Sequence, residues 1–167
     1  MIQGFTVRRA LPFDAPKVIA VIDAVGAEGI WLATDRYVPT PQWEQVLHHP
    51  DAEPRALLLV AETQKKIVGW CRVFPYKFGD KSLHVADIGI GVHRDSRRLG
   101  IGSALLSDAI SLARSQGFEK LTLDLYSSSE IARHLFERVG FQIVGIRSRH
   151  AKINGTYVNE ILMEMKL

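Results

Sequence analysis

Two rhythms of apolar residues mark out the elements of the chain. Residues 5–9 read as a first strand. Asp14 follows as a helix N-cap, with Val18, Ile19, Ile22 and Val25 behind it at helical spacing. Gly26 and Gly29 break that helix, and residues 28–39 have no period, which predicts a loop. Thr40 before Pro41 is a helix start, with Trp43, Val46 and Leu47 on one face. Residues 56–62 and 67–74 predict two antiparallel strands joined by the polar turn Gln64-Lys65-Lys66. Residues 83–92 predict a third long strand. Ile101, Leu105, Ala109, Leu112 and Ala113 then define the strongest helix, 101–116, with Gly117 as its C-terminal cap. Leu121, Leu123 and Leu125 alternate with Thr122, Asp124 and Tyr126 as in a strand, and residues 129–139 predict another helix. Residues 141–152 and 156–166 flank Asn154-Gly155, the strongest hairpin signal in the chain. The order is β-α-α-β-β-β-α-β-α-β-β, a mixed α/β domain.

Length adds that residues 1–167 form one domain, large enough for a core without disulfide or metal staples. A net charge of +3 with 23% charged residues fits a folded domain and gives no dense basic patch, so no nucleic-acid partner is expected. Cys71 is the only cysteine, which excludes an internal disulfide and a cysteine-based metal cluster. It reads as a small core residue. His48-His49 lacks a third ligand, so no metal is expected. The longest apolar run, 56–61, has six residues, against the ~18 of a membrane span. Without a membrane span or a secretory pattern at the first residues, the expected compartment is the cytoplasm.

Chemistry concentrates between Asp87 and Ser103. A strand holding Gly89 and Gly91 is unusual, because glycine has no side chain to pack and often marks a bulge or a ligand approaching the backbone. The run His93-Arg94-Asp95-Ser96-Arg97-Arg98-Leu99-Gly100-Ile101-Gly102-Ser103 then opens directly into the strong helix. Free N–H groups and the positive end of the helix dipole make such a turn an anion site. Arg94, Arg97 and Arg98 add charge, Ser103 adds a hydroxyl, and Gly100 and Gly102 let the backbone close on a phosphate. A P-loop needs Lys before the Ser/Thr, which Gly102-Ser103-Ala104 lacks. A dinucleotide fingerprint needs a third glycine where Leu105 stands, although Asp124 lies at the distance of a ribose ligand.

The pattern Arg97-x-x-Gly100-x-Gly102, preceded by Ile88-x-Ile90-x-Val92, resembles the acetyl-CoA pyrophosphate motif of the GNAT superfamily of N-acetyltransferases. Ala132-x-x-Leu135-Phe136-x-x-x-Gly140-Phe141 resembles that family's next helix and its Gly-Phe corner. Residues 154–163 further resemble a branch acting on small amines and amino acids. The resemblance implies a mixed, mostly antiparallel twisted sheet with helices on both faces. It implies acetyl-CoA with its pyrophosphate on the backbone of Arg98, Leu99, Gly100, Ile101, Gly102 and Ser103, beside Arg97. It also implies a pantetheine arm paired with Ile90, Gly91 and Val92. A bulge around Gly89 to Gly91 would splay the neighbouring strands and free N–H groups, one of which stabilises an oxyanion by about 3–4 kcal/mol.

The acceptor amine must lose its proton. Freeing an α-amine near pKa 8 at pH 7 costs roughly 1.4 kcal/mol, against about 4.6 for a lysine amine at 10.4. Asp87 and His84, on opposite faces of a regular strand, are the candidate bases, directly or through water. The family's usual tyrosine acid falls at Phe136, which leaves Tyr126 as substitute. The family's pantetheine-contacting asparagine falls at Ser129. Glu28, Trp31, Thr34 and Tyr37 in the early loop, with Tyr157 and Asn159 in the last hairpin, are candidates to shape the acceptor site. The expected activity is direct acetyl transfer to a small primary amine, an amino acid or amine-bearing toxin. Peptide N-terminal acetylation and a catalytically weak CoA-binding module remain alternatives. The antiparallel C-terminal strands leave a homodimer open, and neither nucleic acid nor membrane is an expected partner.

Overall fold

The computed structural model describes residues 4–76 and 79–167. Its strands are β1 (Thr6–Arg9), β2 (Leu57–Thr63), β3 (Lys66–Pro75), β4 (Val85–Val92), β5 (Lys120–Tyr126), β6 (Gln142–Ile153) and β7 (Thr156–Lys166). The helices are α1 (Ala15–Gly26), α2 (Pro41–His48), α3 (Ile101–Ser115) and α4 (Glu130–Val139). One seven-stranded sheet runs β1-β2-β3-β4-β5-β7-β6, antiparallel except between β4 and β5. The element order read from the hydrophobic pattern is the observed one.

Strand alternation separates two cores. Leu57, Leu59, Cys71, Val73, Ala86, Ile88, Leu121 and Leu123 face α3 and α4, meeting Ile101, Leu105, Ala109 and Phe136. Leu58, Val60, Trp70 and Phe74 face the other way, onto Val18, Ile22, Val46 and Leu47 of α1 and α2. Helices therefore cover both faces of β1 to β4.

The sheet divides at its one parallel pair. β4 and β5 pair only at Val85↔Lys120, Ala86↔Leu121 and Asp87↔Thr122. Both strands then run on, to Val92 and Tyr126, without pairing to each other. The expected bulge at Gly89 to Gly91 is not what parts them, since the β3–β4 register is unbroken from Gly69↔Val92 to Pro75↔Ala86. These two glycines answer to packing across the pair. A Cβ on Gly91 would lie 2.7 Å from the Trp70 indole, and one on Gly89 would lie 3.1 Å from the Arg72 guanidinium.

Other departures are local. Asp14 forms no N-cap hydrogen bond. It is buried, takes a 2.6 Å hydrogen bond from Arg8 and another from the Leu11 N–H, and closes a 3-10 turn ahead of α1. β4 begins two residues later than expected because Asp80–Ser82 forms a 3-10 turn. Thr40 does cap α2, its Oγ1 accepting from the Trp43 N–H at 3.2 Å.

Candidate active site

At the open end of β4 the chain passes through the 3-10 turn Arg94–Ser96 and enters α3 at Gly100. Gly100 has φ +81° with nothing within 4 Å of a Cβ, so the left-handed backbone is what requires glycine there. Gly102 has a different reason: its Cβ would lie 3.1 Å from Leu135, so it sets how closely α4 packs on α3. From Arg98 to Ser103 no backbone N–H donates to an acceptor among the described residues. The exposed turn of Arg98, Leu99 and Gly100 and the first turn of α3 thus present a row of unpaired donors at a positive helix end.

Arg97 is not part of that display. Its Nε donates to the Val92 carbonyl at 3.0 Å, and its two terminal nitrogens donate to the two carboxylate oxygens of Glu28, one at 2.9 Å. The Trp31 indole N–H donates to the same carboxylate at 2.7 Å, and the guanidinium lies 5.2 Å over the Trp31 ring. Arg97's hydrogen bonds, opposed by burial and aided by Trp31, hold the Glu28 carboxyl below its ordinary range. Glu28 and Trp31, expected at the acceptor, are therefore engaged with Arg97 at the turn ahead of α3. One residue pair away, the Ser129 hydroxyl donates to the Ile30 carbonyl at 3.4 Å. Ser129 is 3% exposed at the start of α4. The loop after α1 is thus tied both to the end of β4 and to the turn after β5, across the mouth of the split.

On the α1/α2 face, Asp87 sits where the split begins. Arg72 donates to its Oδ1 at 2.8 Å, and the Arg72 guanidinium stacks 4.7 Å over Phe74. A pocket of about 410 Å³ opens beside this pair, lined by Thr40, Gln42, Trp43, Phe74, Pro75 and Tyr76. Arg72 was missed by sequence reasoning; its signal was a lone charge in the otherwise apolar run 67–74. Tyr126, the last residue of β5, lies on the same face of β5 as Thr122 and Asp124, and its hydroxyl has no hydrogen-bond partner among the described residues. Burial, then the Glu160 charge, push that hydroxyl above its usual pKa.

The remaining candidates lie elsewhere. His84 precedes β4, beyond the closed end of the split; its side chain is exposed and its carbonyl accepts the Glu119 and Lys120 N–H groups. Thr34 bonds within its loop, to the Arg36 carbonyl. Tyr37 donates to Glu44 at 2.7 Å and packs edge-on against Trp43, behind the pocket wall. Tyr157 is half-exposed at the hairpin tip between Arg149 and Lys152. Asn159 ties Ser127 to the Arg149 N–H. Phe136 is buried edge-on against Phe141, 5.4 Å between centroids. Cys71 is fully buried, and burial pushes its thiol up to about 12. Among the described residues no group of three or more His, Cys, Asp or Glu is placed to hold a metal ion, and no helix is long and apolar enough to cross a membrane.

The sheet thus parts at its one parallel pair, with a glycine turn at the open end and Asp87 beside a pocket at the closed end. Residues 24–141 match the acetyltransferase (GNAT) family, and the chain belongs to that family. It is similar to a crystal structure of an acetyltransferase of the GNAT family from Streptococcus pneumoniae. The TM-score is 0.88 at 26% identity, covering 98% of this chain and 99% of that one. Among curated relatives it is 31% identical over 122 residues to the protein named "Probable N-acetyltransferase camello" of Xenopus laevis, 71% of this chain and 55% of that protein. It is 30% identical over 81 residues to the L-amino acid N-acetyltransferase AaaT of Escherichia coli, 48% of this chain and 50% of that protein. The chain spans about half the length of these two curated relatives.

Proposed function

We propose that this protein transfers an acetyl group from acetyl-CoA directly to the primary amine of a small molecule, an amino acid or an amine-bearing toxin. The split between β4 and β5 carries this reading, because it has anion-binding donors at one end and a carboxylate facing a pocket at the other. Acetyl-CoA supplies the activated thioester. The backbone N–H groups of Arg98, Leu99, Gly100, Ile101, Gly102 and Ser103 fit its pyrophosphate, with Arg94 and Arg98 exposed beside them. The unpaired edge of β4, from Ile88 onward, fits an extended arm with amide groups, laid down as a β-strand would be.

At the closed end, Asp87 accepts the proton of the acceptor ammonium, directly or through water. An α-amine requires roughly 3 kcal/mol less of this help than a lysine amine. Tyr126 donates a proton to the departing thiolate; a hydroxyl held above its usual pKa stays protonated across the working range. His84, outside the split, has no part in the step. The lone buried cysteine fits direct transfer without an acyl-enzyme.

The test is thiol release from acetyl-CoA across a panel of small amines, amino acids and N-terminal peptides, with a thermal shift by CoA as binding control. Release with free amines and not with peptides is the expected result. A shift by CoA without thiol release for any amine would remove acetyl transfer as the function.

A further inference from the structure

The pair at the pocket wall is half used. Only one guanidinium nitrogen of Arg72 bonds Asp87, and only one carboxylate oxygen of Asp87 receives it. No other hydrogen bond of either group is made among the described residues. Asp87 Oδ2 and the remaining Arg72 donors are therefore available side by side, with Arg72 22% and Asp87 36% exposed. Gly89 opposite Arg72 leaves the guanidinium resting close over the β4 backbone, at the start of the unpaired segment.

A simple amine seated at Asp87 would leave two cations, its ammonium and the Arg72 guanidinium, sharing the single negative charge of Asp87. That like-charge contact disfavours binding. An α-amino acid removes the conflict. Its ammonium meets Asp87, its carboxylate meets Arg72, and four charges of alternating sign close into a ring of charge-assisted hydrogen bonds. Arg suits this role because its planar fork presents further N–H donors while one stays on Asp87. Beyond Arg72 and Asp87 the lining is largely aromatic, with Thr40 and Gln42 as its polar members: Trp43 and Phe74 meet edge-on at 5.3 Å, and Tyr76 extends the wall. A volume of about 410 Å³ exceeds what the charged head of an amino acid needs and leaves room for a large side chain.

We propose that the acceptor is a free α-amino acid with a large apolar or aromatic side chain. Its carboxylate is read by Arg72, its ammonium by Asp87, and its side chain by Trp43, Phe74 and Tyr76. This rests on the acetyl-transfer reading above and makes Arg72 the residue that selects for the free acid. In the step itself, the acceptor nitrogen forms the C–N bond as the thioester C–S bond breaks. The ammonium gives up two protons, one by way of Asp87 to solvent and one taken up by the thiolate, so that N-acetyl amino acid, free thiol and one released proton result.

The test compares L-phenylalanine, L-phenylalaninamide, phenethylamine and glycine as acceptors for the wild-type protein. Calorimetric binding of the first two to the CoA-saturated protein runs alongside. The expected result is kcat/KM at least 10-fold higher for L-phenylalanine than for the amide, the amine or glycine, with tighter binding of the acid. Arg72→Gln should bring the acid-to-amide ratio within about twofold. Turnover of the amide or phenethylamine as well as the acid by the wild type would overturn the proposal while leaving acetyl transfer standing. Equal use of glycine would overturn the side-chain part. Arg72-dependent binding of L-phenylalanine without thiol release would support the pocket assignment and sink the acetyl-transfer reading instead. Because the wild-type comparison needs no variant, a poorly folded Arg72→Gln protein leaves the proposal open to refutation.

Discussion

Arg97 and Glu28, 69 residues apart in sequence, are joined through both terminal nitrogens of one and both carboxylate oxygens of the other. The pair ties the turn ahead of α3 to the loop that follows α1. Side-chain exposures of 30% and 19% place it between a surface bridge and a buried one. Glu28→Gln should therefore cost about 1–2 kcal/mol of stability and raise KM for acetyl-CoA, although Glu28 itself binds no phosphate. Chemical denaturation and steady-state kinetics measure both effects.

The same pair predicts a pH signature. Glu28 has its carboxyl pKa lowered in the folded state, chiefly by Arg97's hydrogen bonds. A depressed folded pKa gives stability that is fully present above the unfolded value, near 4.3, and lost as pH falls through the folded value. The stability difference between wild type and Glu28→Gln should be constant from about pH 7 to 5 and shrink below about pH 4. A difference that stays flat to pH 3 would show that the charge contributes nothing.

Such a pairing explains where sequence reading succeeds and where it stops. Period and turn chemistry are local, so Thr40-Pro41, Asn154-Gly155 and the Ile101 to Ala113 stripe specify their elements directly. The row of free N–H groups is also local, since a helix start after Gly100 leaves its first donors unpaired wherever it packs. Arg97, three residues earlier, reads as a phosphate ligand for the same local reason. Its guanidinium also pairs with Glu28 across the fold, and nothing within a window of residues reveals that contact. Arg72 and Asp87 are likewise made neighbours by the β3–β4 register, in which Arg72 faces Gly89. Gly89 and Gly91 look like bulge residues because glycine has two uses in strands, and only the cross-strand neighbour decides between them.

That distinction can be measured. Gly91→Ala would drive a Cβ into the Trp70 indole at 2.7 Å, and Trp70 is itself 3% exposed among Trp43, Phe74 and α1. Overpacking of a rigid neighbour costs typically 1–3 kcal/mol, so a fall in melting temperature of several degrees is expected. Gly89→Ala meets only the flexible end of Arg72 at 3.1 Å. It should cost less than about 1 kcal/mol in stability. It should still raise acceptor KM by displacing the guanidinium. Equal destabilisation by both substitutions would contradict this account.

Asp87→Asn separates base chemistry from charge pairing. The amide keeps an oxygen for Arg72 but cannot take a proton, so kcat should fall by about 10²–10⁴. Asp87→Glu should recover part of that loss. An Asp87→Asn protein with wild-type kcat would place the proton acceptor elsewhere.

Tyr126→Phe tests the other proton. The family's usual acid position holds Phe136 here, buried edge-on against Phe141, so a hydroxyl restored by Phe136→Tyr would enter the core and not the split. That substitution should lower stability and leave kcat no higher than wild type. Tyr126, whose hydroxyl has no hydrogen-bond partner among the described residues, is the donor proposed for the thiolate. A thiol pKa near 8.5 makes thiolate a tolerable leaving group, so the loss on Tyr126→Phe should be about 10-fold in kcat, below the usual range for acid catalysis. The deficit should grow as pH rises, because solvent then supplies fewer protons. It should also nearly vanish with an acyl donor whose leaving thiol is more acidic. A deficit unchanged across pH and donors would make Tyr126 a packing residue and leave protonation of the thiolate to water.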